Sequence, residues 1–319
     1  MPENFMEKQQ TVFSEIVFQW LYSKNGQMSY STFVKYEQLI KTHIKPYFDQ
    51  VAHTELSQKT LESFYDSLCR RSSHLKMSNS NMRIIIMIVN HALEYAYDHH
   101  IIKEHLKIKP CLQKSKPIVR VFSLEDQKKL EQYIYRKKSS YSLAILMALY
   151  SGIRIGELCA LQWKDVDFQN HSVKITKTVQ RLKSRSDSSA KTQLFFSVPK
   201  SGCSCRMIPL PEFVTEYMKE FYDSCKNEEY FVIGQKSVPC EPRALQYAYQ
   251  RILKRCGIPY LNFHCLRHTF ATRCVTIGCD VKTLSEILGH SDIKITMDYY
   301  FHSSFEYKKQ QMNKLFLLS

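Results

Sequence analysis

The stretch Asn262-Phe-His-Cys-Leu-Arg-His-Thr-Phe-Ala-Thr-Arg273 decides how the chain is interpreted, together with Leu288-Gly-His290 and Tyr299-Tyr300-Phe-His302. On a helix, His264 and Arg267 are three positions apart and share one face. An imidazole and a guanidinium on one face can both contact a single phosphate. The stretch therefore predicts a helix that binds an oxyanion.

The residues between the first two stretches predict a second, shorter helix and a turn. Asp280 is a candidate N-cap, the helix is expected over 281–288, and Gly289 is the residue that ends it. His290 is therefore expected to project from a turn. Two adjacent tyrosines then follow, each with a phenol that can serve as a nucleophile once its proton is removed.

Five short motifs, in this order along the chain, resemble those of the tyrosine recombinases, the phage integrase family. Three of them resemble the family's H-x-L-R-H, L-G-H and Y-x-H boxes. The resemblance extends over nearly the whole chain. The motifs are Ser151-Gly-Ile-Arg154-Ile-Gly-Glu157-Leu, Pro199-Lys200 continuing to Arg206-Met-Ile-Pro-Leu210, His264-Cys-Leu-Arg267-His, Leu288-Gly-His290 and Tyr300-Phe-His302.

The resemblance implies a reaction in which a tyrosine attacks a DNA phosphodiester and forms a 3′-phosphotyrosine, without metal, ATP or another cofactor. Two arginines would hold the phosphate with a histidine as a third donor, a lysine would protonate the leaving 5′ oxygen, and a second histidine would assist proton transfer near the nucleophile. A glutamate would support the first arginine. By this resemblance Arg154 and Arg267 hold the phosphate and His290 is the third donor. Lys200 protonates the leaving oxygen, His264 assists proton transfer and Glu157 supports Arg154. Tyr300 is the nucleophile, with Tyr299, one position away, as the alternative.

Length and charge agree with a DNA-binding protein of two domains. The chain has 319 residues, long for one domain, and carries 45 Lys and Arg against 30 Asp and Glu, a net charge of +15. Such an excess suits a polyanionic partner, although a merely basic soluble protein has the same composition. No apolar run approaches the ~20 residues that cross a bilayer. We expect a cytoplasmic, nucleoid-associated protein with no membrane partner.

The cysteines give no framework for disulfides or metal. Their number, 11, is odd and the chain is long, so reduced thiols are expected. Cys203-Ser-Cys205 is a lone C-x-C without a second ligand pair, which argues against a zinc site. The sequence suggests no role for this pair.

The N-terminal part, residues 8–108, is predicted to be a bundle of four amphipathic helices. The first is expected to end at Gly26, and the second to begin after Ser31 as N-cap and to end before Pro46. By resemblance this is the SAM-like core-binding domain. The basic residues Lys35 and Arg83 are expected to contact DNA.

Residues 109–118 are predicted to be a basic linker, because they contain several lysines and two prolines and show no helical or strand period. Lys114 and Lys116 are its candidate phosphate contacts. Residues 119–319 are predicted to be an α+β catalytic domain with a C-terminal segment exchanged between protomers. Helices are expected after Ser123 and Ser140, one strand through 173–179, and a hairpin of 194–198 with 205–208 whose turn carries Lys200.

The overall expectation is a mainly α protein with a small antiparallel β-sheet, whose two domains form a clamp around DNA. By resemblance it integrates or excises a mobile element as a homo-oligomer, a tetramer on paired sites, with accessory DNA-bending or excisionase proteins. Three alternatives remain: a chromosome-dimer resolvase, an enzyme like the type IB topoisomerases, and an inactive DNA-binding regulator. The complete set of site residues argues against the regulator.

Overall fold

The computed structural model describes residues 11–75, 77–111, 119–184, 192–197, 205–300, 309 and 312–313. Its contacts divide the chain into two compact units, Met1–Ser115 and Lys116–Ser319. Each unit has a hydrophobic core of its own, as expected of two domains. The secondary structure is mainly helical with small antiparallel sheets, which confirms the predicted fold class.

The first unit is a helical bundle, and the four predicted amphipathic helices are all present. The apolar residues Leu61, Phe64 and Leu68, on the third of the predicted helices, are fully buried. The unit consists of α1 (Phe13–Ser23), α2 (Tyr30–Leu39), a π-helix (Ile40–Ile44), α3 (Lys45–Phe48), a 3₁₀ helix (His53–Glu55), α4 (Gln58–Leu75) and α5 (Asn79–Asp98).

Two predicted helix ends in this unit were wrong. Helix α1 ends at Ser23, before Gly26. The second helix does not stop before Pro46 but passes through the π-helix into α3. Pro46 lies in the first turn of α3. Proline has no N–H to donate, and the wider π-helical turn directly before α3 interrupts the regular α-helical hydrogen bonding that its ring would disturb.

Serine side chains cap several of the helices, among them α2, α5 and the helices that start at residues 124 and 140, and of the three serine caps that the sequence predicted one lies at the predicted residue. The Ser123 hydroxyl accepts from the N–H three residues later, as predicted. Helix α2 is capped by Ser29 instead of Ser31, and the helix that starts at residue 140 is capped by Ser139 instead of Ser140. A cap needs extended backbone angles as well as a hydroxyl, and sequence does not distinguish neighbouring serines by backbone angle.

The second unit combines eight helices with five short strands among its described residues. The helices are α6 (Leu124–Arg136), α7 (Ser140–Ser151), α8 (Ile155–Ala160), α9 (Glu212–Cys225), α10 (Pro242–Arg255), α11 (His264–Thr276), α12 (Val281–Leu288) and α13 (Ile293–Tyr300), with a 3₁₀ helix at Trp163–Asp165. The strands are β1 (Val166–Asp167), β2 (Ser172–Ile175), β3 (Thr178–Lys183), β4 (Thr192–Ser197) and β5 (Arg206–Pro209).

The strands form two antiparallel sheets, and their pairing differs from the prediction. The expected single strand through 173–179 is two strands, β2 and β3. Strand β4 pairs with β3, and β5 pairs with β2 in the three-stranded sheet β1-β2-β5. Among the described residues, the predicted hairpin partners therefore pair elsewhere. Alternation of apolar residues shows that a segment is a strand but not which strand it pairs with. The predicted hairpin turn lies outside the described residues.

Helix packing in the second unit brings the predicted motifs together. Helix α11 packs against α7, and α12 contacts α11, α13 and β5. Helix α7 ends at Gly152, which has a left-handed φ of 64° and lies against the side chain of Phe270 on α11. Because a Cβ at Gly152 would be 2.6 Å from the Phe270 ring, only glycine fits between the two helices.

Candidate active site

Arg154 lies at the break between α7 and α8, where it is the N-cap of α8 with an extended backbone. The Glu157 carboxylate accepts from the backbone N–H of Arg154 at 3.1 Å and from its Nη1 at 2.8 Å. The predicted pairing of these two residues is therefore present. It offsets the unfavourable placement of a cation at the positive end of a helix.

Glu157 also binds a second arginine, to which the sequence assigned no role in the site. Arg206, at the start of β5, donates from Nη1 and Nη2 to the two carboxylate oxygens at 3.1 and 2.9 Å. Both side chains are buried, with 6% of Arg206 and 5% of Glu157 exposed. Burial alone would raise the pKa of Glu157, but the hydrogen bonds and charge of Arg206, helped by Arg154, hold that pKa below its ordinary value. Glu157 is thus an ionised carboxylate between two guanidinium groups.

Arg267 projects from the first turn of α11 into the protein interior and is only 2% exposed. Its Nη1 donates to the Gly152 carbonyl at 2.8 Å and its Nη2 to the Leu288 carbonyl at 2.7 Å. Burial, with the charge of Arg154, lowers the pKa of Arg267 to about 9. The guanidinium is therefore still charged at neutral pH.

The three arginines bind three consecutive carbonyl groups at the C-terminal end of α12. Arg206 Nε donates to Ile287 at 2.7 Å, Arg267 to Leu288 at 2.7 Å and Arg154 Nη2 to Gly289 at 3.0 Å. The last carbonyls of a helix have no intrahelical donor, so each guanidinium satisfies an acceptor that would otherwise lack one. We call Arg154, Arg206, Arg267 and Glu157 the arginine cluster.

Both ends of α12 have the structure that the sequence predicted. The Asp280 carboxylate accepts from the Thr283 N–H at 2.9 Å, and Gly289 ends the helix with a left-handed φ of 64°. The turn presents His290, whose Nδ1 is 2.8 Å from the hydroxyl of the fully buried Thr296. Burial and the charges of the nearby arginines lower the pKa of His290 to about 3, so its imidazole is neutral at neutral pH.

A second histidine on α11, His268, contacts the predicted nucleophile. His268 Nδ1 lies 2.5 Å from the hydroxyl oxygen of Tyr300. The His264 ring is perpendicular to the His268 ring, with 4.7 Å between their centroids. Burial, with the charges of His268 and Arg267, lowers the pKa of His264, and burial with Arg267 lowers that of His268. Tyr300 therefore approaches the same helix that carries Arg267.

The structure brings together five of the predicted catalytic residues and leaves the sixth undescribed. Lys200 lies outside the described residues, as do the linker lysines Lys114 and Lys116 and the side chain of Tyr299. Lys35 on α2 and Arg83 on α5 belong to the first unit and have exposed side chains. The residues that come together are Arg154, His264, Arg267, His290 and Tyr300, with Glu157 beside Arg154.

Sequence reasoning missed Arg206 and His268 as members of this site. His268 follows His264 by four residues and so shares its helix face, a signal present in the sequence. Arg206 lies 49 residues from Glu157, and no local pattern connects the two.

The described part of the chain contains no group of three or more His, Cys, Asp or Glu placed to hold a metal ion. Within the same part, none of the helices has both the length and the apolar composition to cross a membrane.

Family models of known proteins match residues in both units. The model of the phage integrase family matches residues 121–307, and that of the phage integrase N-terminal SAM-like domain matches residues 12–69. A protein described as tyrosine recombinase XerC-like, from Caldanaerobacter subterraneus subsp. tengcongensis, is 26% identical over 301 residues, which cover 85% of this chain and 74% of that protein.

Solved structures agree on the fold. A fragment of the Tn1549 transposon integrase in complex with a circular intermediate DNA has a TM-score of 0.77 at 19% identity, covering 96% of this chain and 99% of that one. A lambda integrase tetramer bound to a Holliday junction has a TM-score of 0.61 at 13% identity, covering 92% of this chain and 78% of that one. With the family matches, the predicted resemblance is confirmed: this chain belongs to the phage integrase family and is a site-specific tyrosine recombinase.

Proposed function

We propose that this recombinase cleaves and rejoins duplex DNA at the ends of a mobile element, with Tyr300 as its nucleophile. The observation that carries the proposal is the convergence of Arg154, Arg267 and His290 on the end of α12, with the Tyr300 hydroxyl of α13 against the adjoining helix α11. The DNA-bound Tn1549 integrase, whose fold this chain shares, supports an element-borne substrate.

The arginine cluster and His290 suit a scissile phosphate. Each guanidinium has five N–H donors, more than the two contacts described for Arg154 or for Arg267 use. The remaining donors can hold the nonbridging oxygens, on which negative charge accumulates during attack. Neutral His290 supplies a further donor when its proton lies on Nε2. Preorganised donors of this kind are worth about 3–4 kcal/mol each in oxyanion sites.

Attack by the Tyr300 oxygen forms a phosphotyrosine at the 3′ end and breaks the bond to the 5′ oxygen. A free tyrosine has a pKa of about 10, so its proton must be removed as it attacks. We assign to Lys200 the proton that the leaving 5′ oxygen takes up. Because the phosphoester is conserved in the covalent intermediate, a second 5′ hydroxyl can attack it without ATP.

We further propose that the first domain, residues 8–108, holds one side of the DNA, with Lys35 and Arg83 among its contacts. Residues 109–118 would follow the duplex with Lys114 and Lys116, and residues 119–319 would form the catalytic domain. The net charge of +15 supports phosphate binding along the chain. A tetramer on paired sites is supported by the lambda integrase tetramer bound to a Holliday junction. In our proposal the protomers of that tetramer exchange their C-terminal segments.

The test is covalent capture on element-end DNA nicked near the crossover, without metal or ATP. Wild type, Tyr300→Phe and Tyr299→Phe are compared on denaturing gels. We expect an adduct from wild type and Tyr299→Phe and none from Tyr300→Phe. Loss with Tyr299→Phe alone would move the nucleophile by one residue. No adduct from wild type, despite tight and salt-sensitive binding, would indicate a DNA-binding regulator.

A second candidate function is that of a chromosome-dimer resolvase. It is favoured by the relative described as XerC-like, which matches 85% of this chain. The two functions differ in substrate but not in chemistry. Recombination of a plasmid that carries two element ends, compared with one that carries two copies of a chromosomal dimer-resolution site from the same host, separates them. We expect only the first plasmid to recombine.

A further inference from the structure

Tyr300 has a hydrogen-bonding partner that its proposed role needs. The phenol oxygen lies 2.5 Å from His268 Nδ1, and the two ring centroids are 5.7 Å apart. The contact joins α13 to α11, one helical turn after the residue predicted to assist proton transfer, His264. The imidazole is therefore within hydrogen-bonding reach of the reacting oxygen itself.

We propose that His268 is a catalytic residue of this recombinase and accepts the hydroxyl proton of Tyr300 as the tyrosine attacks the phosphate. The inference rests on the proposed function and adds a residue to its mechanism. It transfers to His268 part of the role that the sequence assigned to His264.

The proton and the electrons balance in both directions. As the Tyr300 oxygen bonds to phosphorus, its proton moves to His268 Nδ1, and the bond from phosphorus to the 5′ oxygen breaks. That oxygen takes its proton from Lys200. In the joining step the incoming 5′ hydroxyl gives its proton back to the lysine, and His268 returns its proton to the phenol oxygen. The enzyme is then restored.

The surroundings of His268 suit a base. Burial and the charge of Arg267 hold its pKa below the ordinary value, so the imidazole is neutral, and with its proton on Nε2 the Nδ1 accepts from the Tyr300 hydroxyl. Its described ionisable neighbours are His264 and Arg267 on α11 and Tyr300 on α13. The imidazolium formed in the reaction would gain a counter-ion from the bound phosphate.

A purely structural contact, in which His268 only fastens α13 to α11, makes a different prediction. Asparagine carries a hydrogen-bonding group close to the position of Nδ1 but does not take up a proton. His268→Asn therefore keeps the contact and removes the base. His171 is a matched control, because its Nδ1 also meets a hydroxyl, that of Thr215, at 2.6 Å.

The experiment measures the rate of covalent adduct formation on the nicked DNA for wild type, His268→Asn, His264→Asn and His171→Asn. General base catalysis contributes about 10²- to 10⁴-fold, so we expect His268→Asn to be slower by at least ~100-fold. Its DNA affinity and thermal midpoint should match those of His171→Asn, which should cleave like wild type. A His268→Asn rate within about threefold of wild type overturns the inference, since loss of a base costs far more.

Two further arms locate the defect on the nucleophile. DNA with a 5′-bridging sulfur has a leaving group that needs no proton, so it should not rescue His268→Asn; full rescue would overturn the inference. Fluorotyrosine at position 300, whose phenol is more acidic, should restore His268→Asn more than it accelerates wild type. If wild type itself forms no adduct, the proposed function fails, an outcome distinct from normal cleavage by His268→Asn.

Discussion

The arginine cluster and the helix that carries the proposed nucleophile, Tyr300, are held in very different ways. Arg267 is 2% exposed, and the cluster binds backbone carbonyls of α7 and of the end of α12. Helix α13 exposes much of Ile293, Ile295 and Met297, at 43%, 38% and 50%. Tyr300 packs only partly, against a small cluster formed by α11 and α12.

This difference indicates that the proposed phosphate site is built into the fold, whereas the position of the proposed nucleophile depends on a few contacts. Segments with little buried apolar surface open at lower free energy than the core. Binding and cleavage should therefore respond separately to mutation. Changes in the arginine cluster should affect folding and phosphate affinity, and changes around Tyr300 should affect mainly the rate of cleavage.

The largest effect on stability is expected from Glu157→Gln. The substitution leaves the buried Arg206 guanidinium without its carboxylate, and breaking a buried ion pair costs about 3–5 kcal/mol. Urea unfolding of the folded chain measures it. The control is Glu229→Gln, which removes an exposed pair with Lys164 and should leave the midpoint unchanged. Equal midpoints for the two variants would show that the cluster is not the rigid region.

A smaller effect is expected from Gly289→Ala, with Gly278→Ala as its control. Both glycines have left-handed φ angles, 64° and 87°, which cost another residue about 1–2 kcal/mol. A Cβ at Gly289 would also lie 3.0 Å from the Arg206 side chain, whereas at Gly278 it would meet nothing within 4 Å.

Gly289→Ala should therefore lose more stability than Gly278→Ala, and it alone should weaken binding of the nicked DNA. The two substitutions are compared by urea unfolding and by titration with that DNA. If both glycine variants bind the DNA equally well, Arg206 is not needed to place the turn before His290.

The last expected effect is a dependence of stability on pH. The pKa of His290 is about 3 in the folded protein and 6.5 ordinarily, and the pKa values of His264 and His268 shift in the same direction. Between these values the unfolded chain binds more protons, so stability falls as pH decreases below 6.5. The urea midpoint should be lower at about pH 5 than at about pH 7.5. In His290→Asn the urea midpoint should change less with pH than in wild type. An equal change with pH in both proteins would contradict the lowered pKa of His290.

Sequence predicted those parts of the site that depend on neighbouring residues. The cap by Asp280, the end of α12 at Gly289 and the pairing of Arg154 with Glu157 each involve residues at most three positions apart at a helix end. Local chemistry determines such features, because caps and helix ends depend on a few neighbouring residues. The family motifs then indicated which of these residues belong to one site.

Contacts between distant segments were not predictable in this way. Arg206 and Glu157 meet because β5 pairs with β2 and contacts α12, and the pairing of strands was itself mispredicted. The contact between His268 and Tyr300 depends on how α13 folds back onto α11. The roles of Lys200 and of the four basic residues assigned to DNA remain predictions.

The end of α12 has a consequence for the sign of the local field. A helix ends in partial negative charge, which repels an anion, and phosphates bind at the opposite end of helices. Here three guanidinium groups cover three consecutive carbonyls of the repelling end. The local potential is thereby reversed, so a phosphate can approach the turn that carries His290. An uncharged replacement for one of these arginines would remove a donor and also uncover a dipole that opposes the substrate.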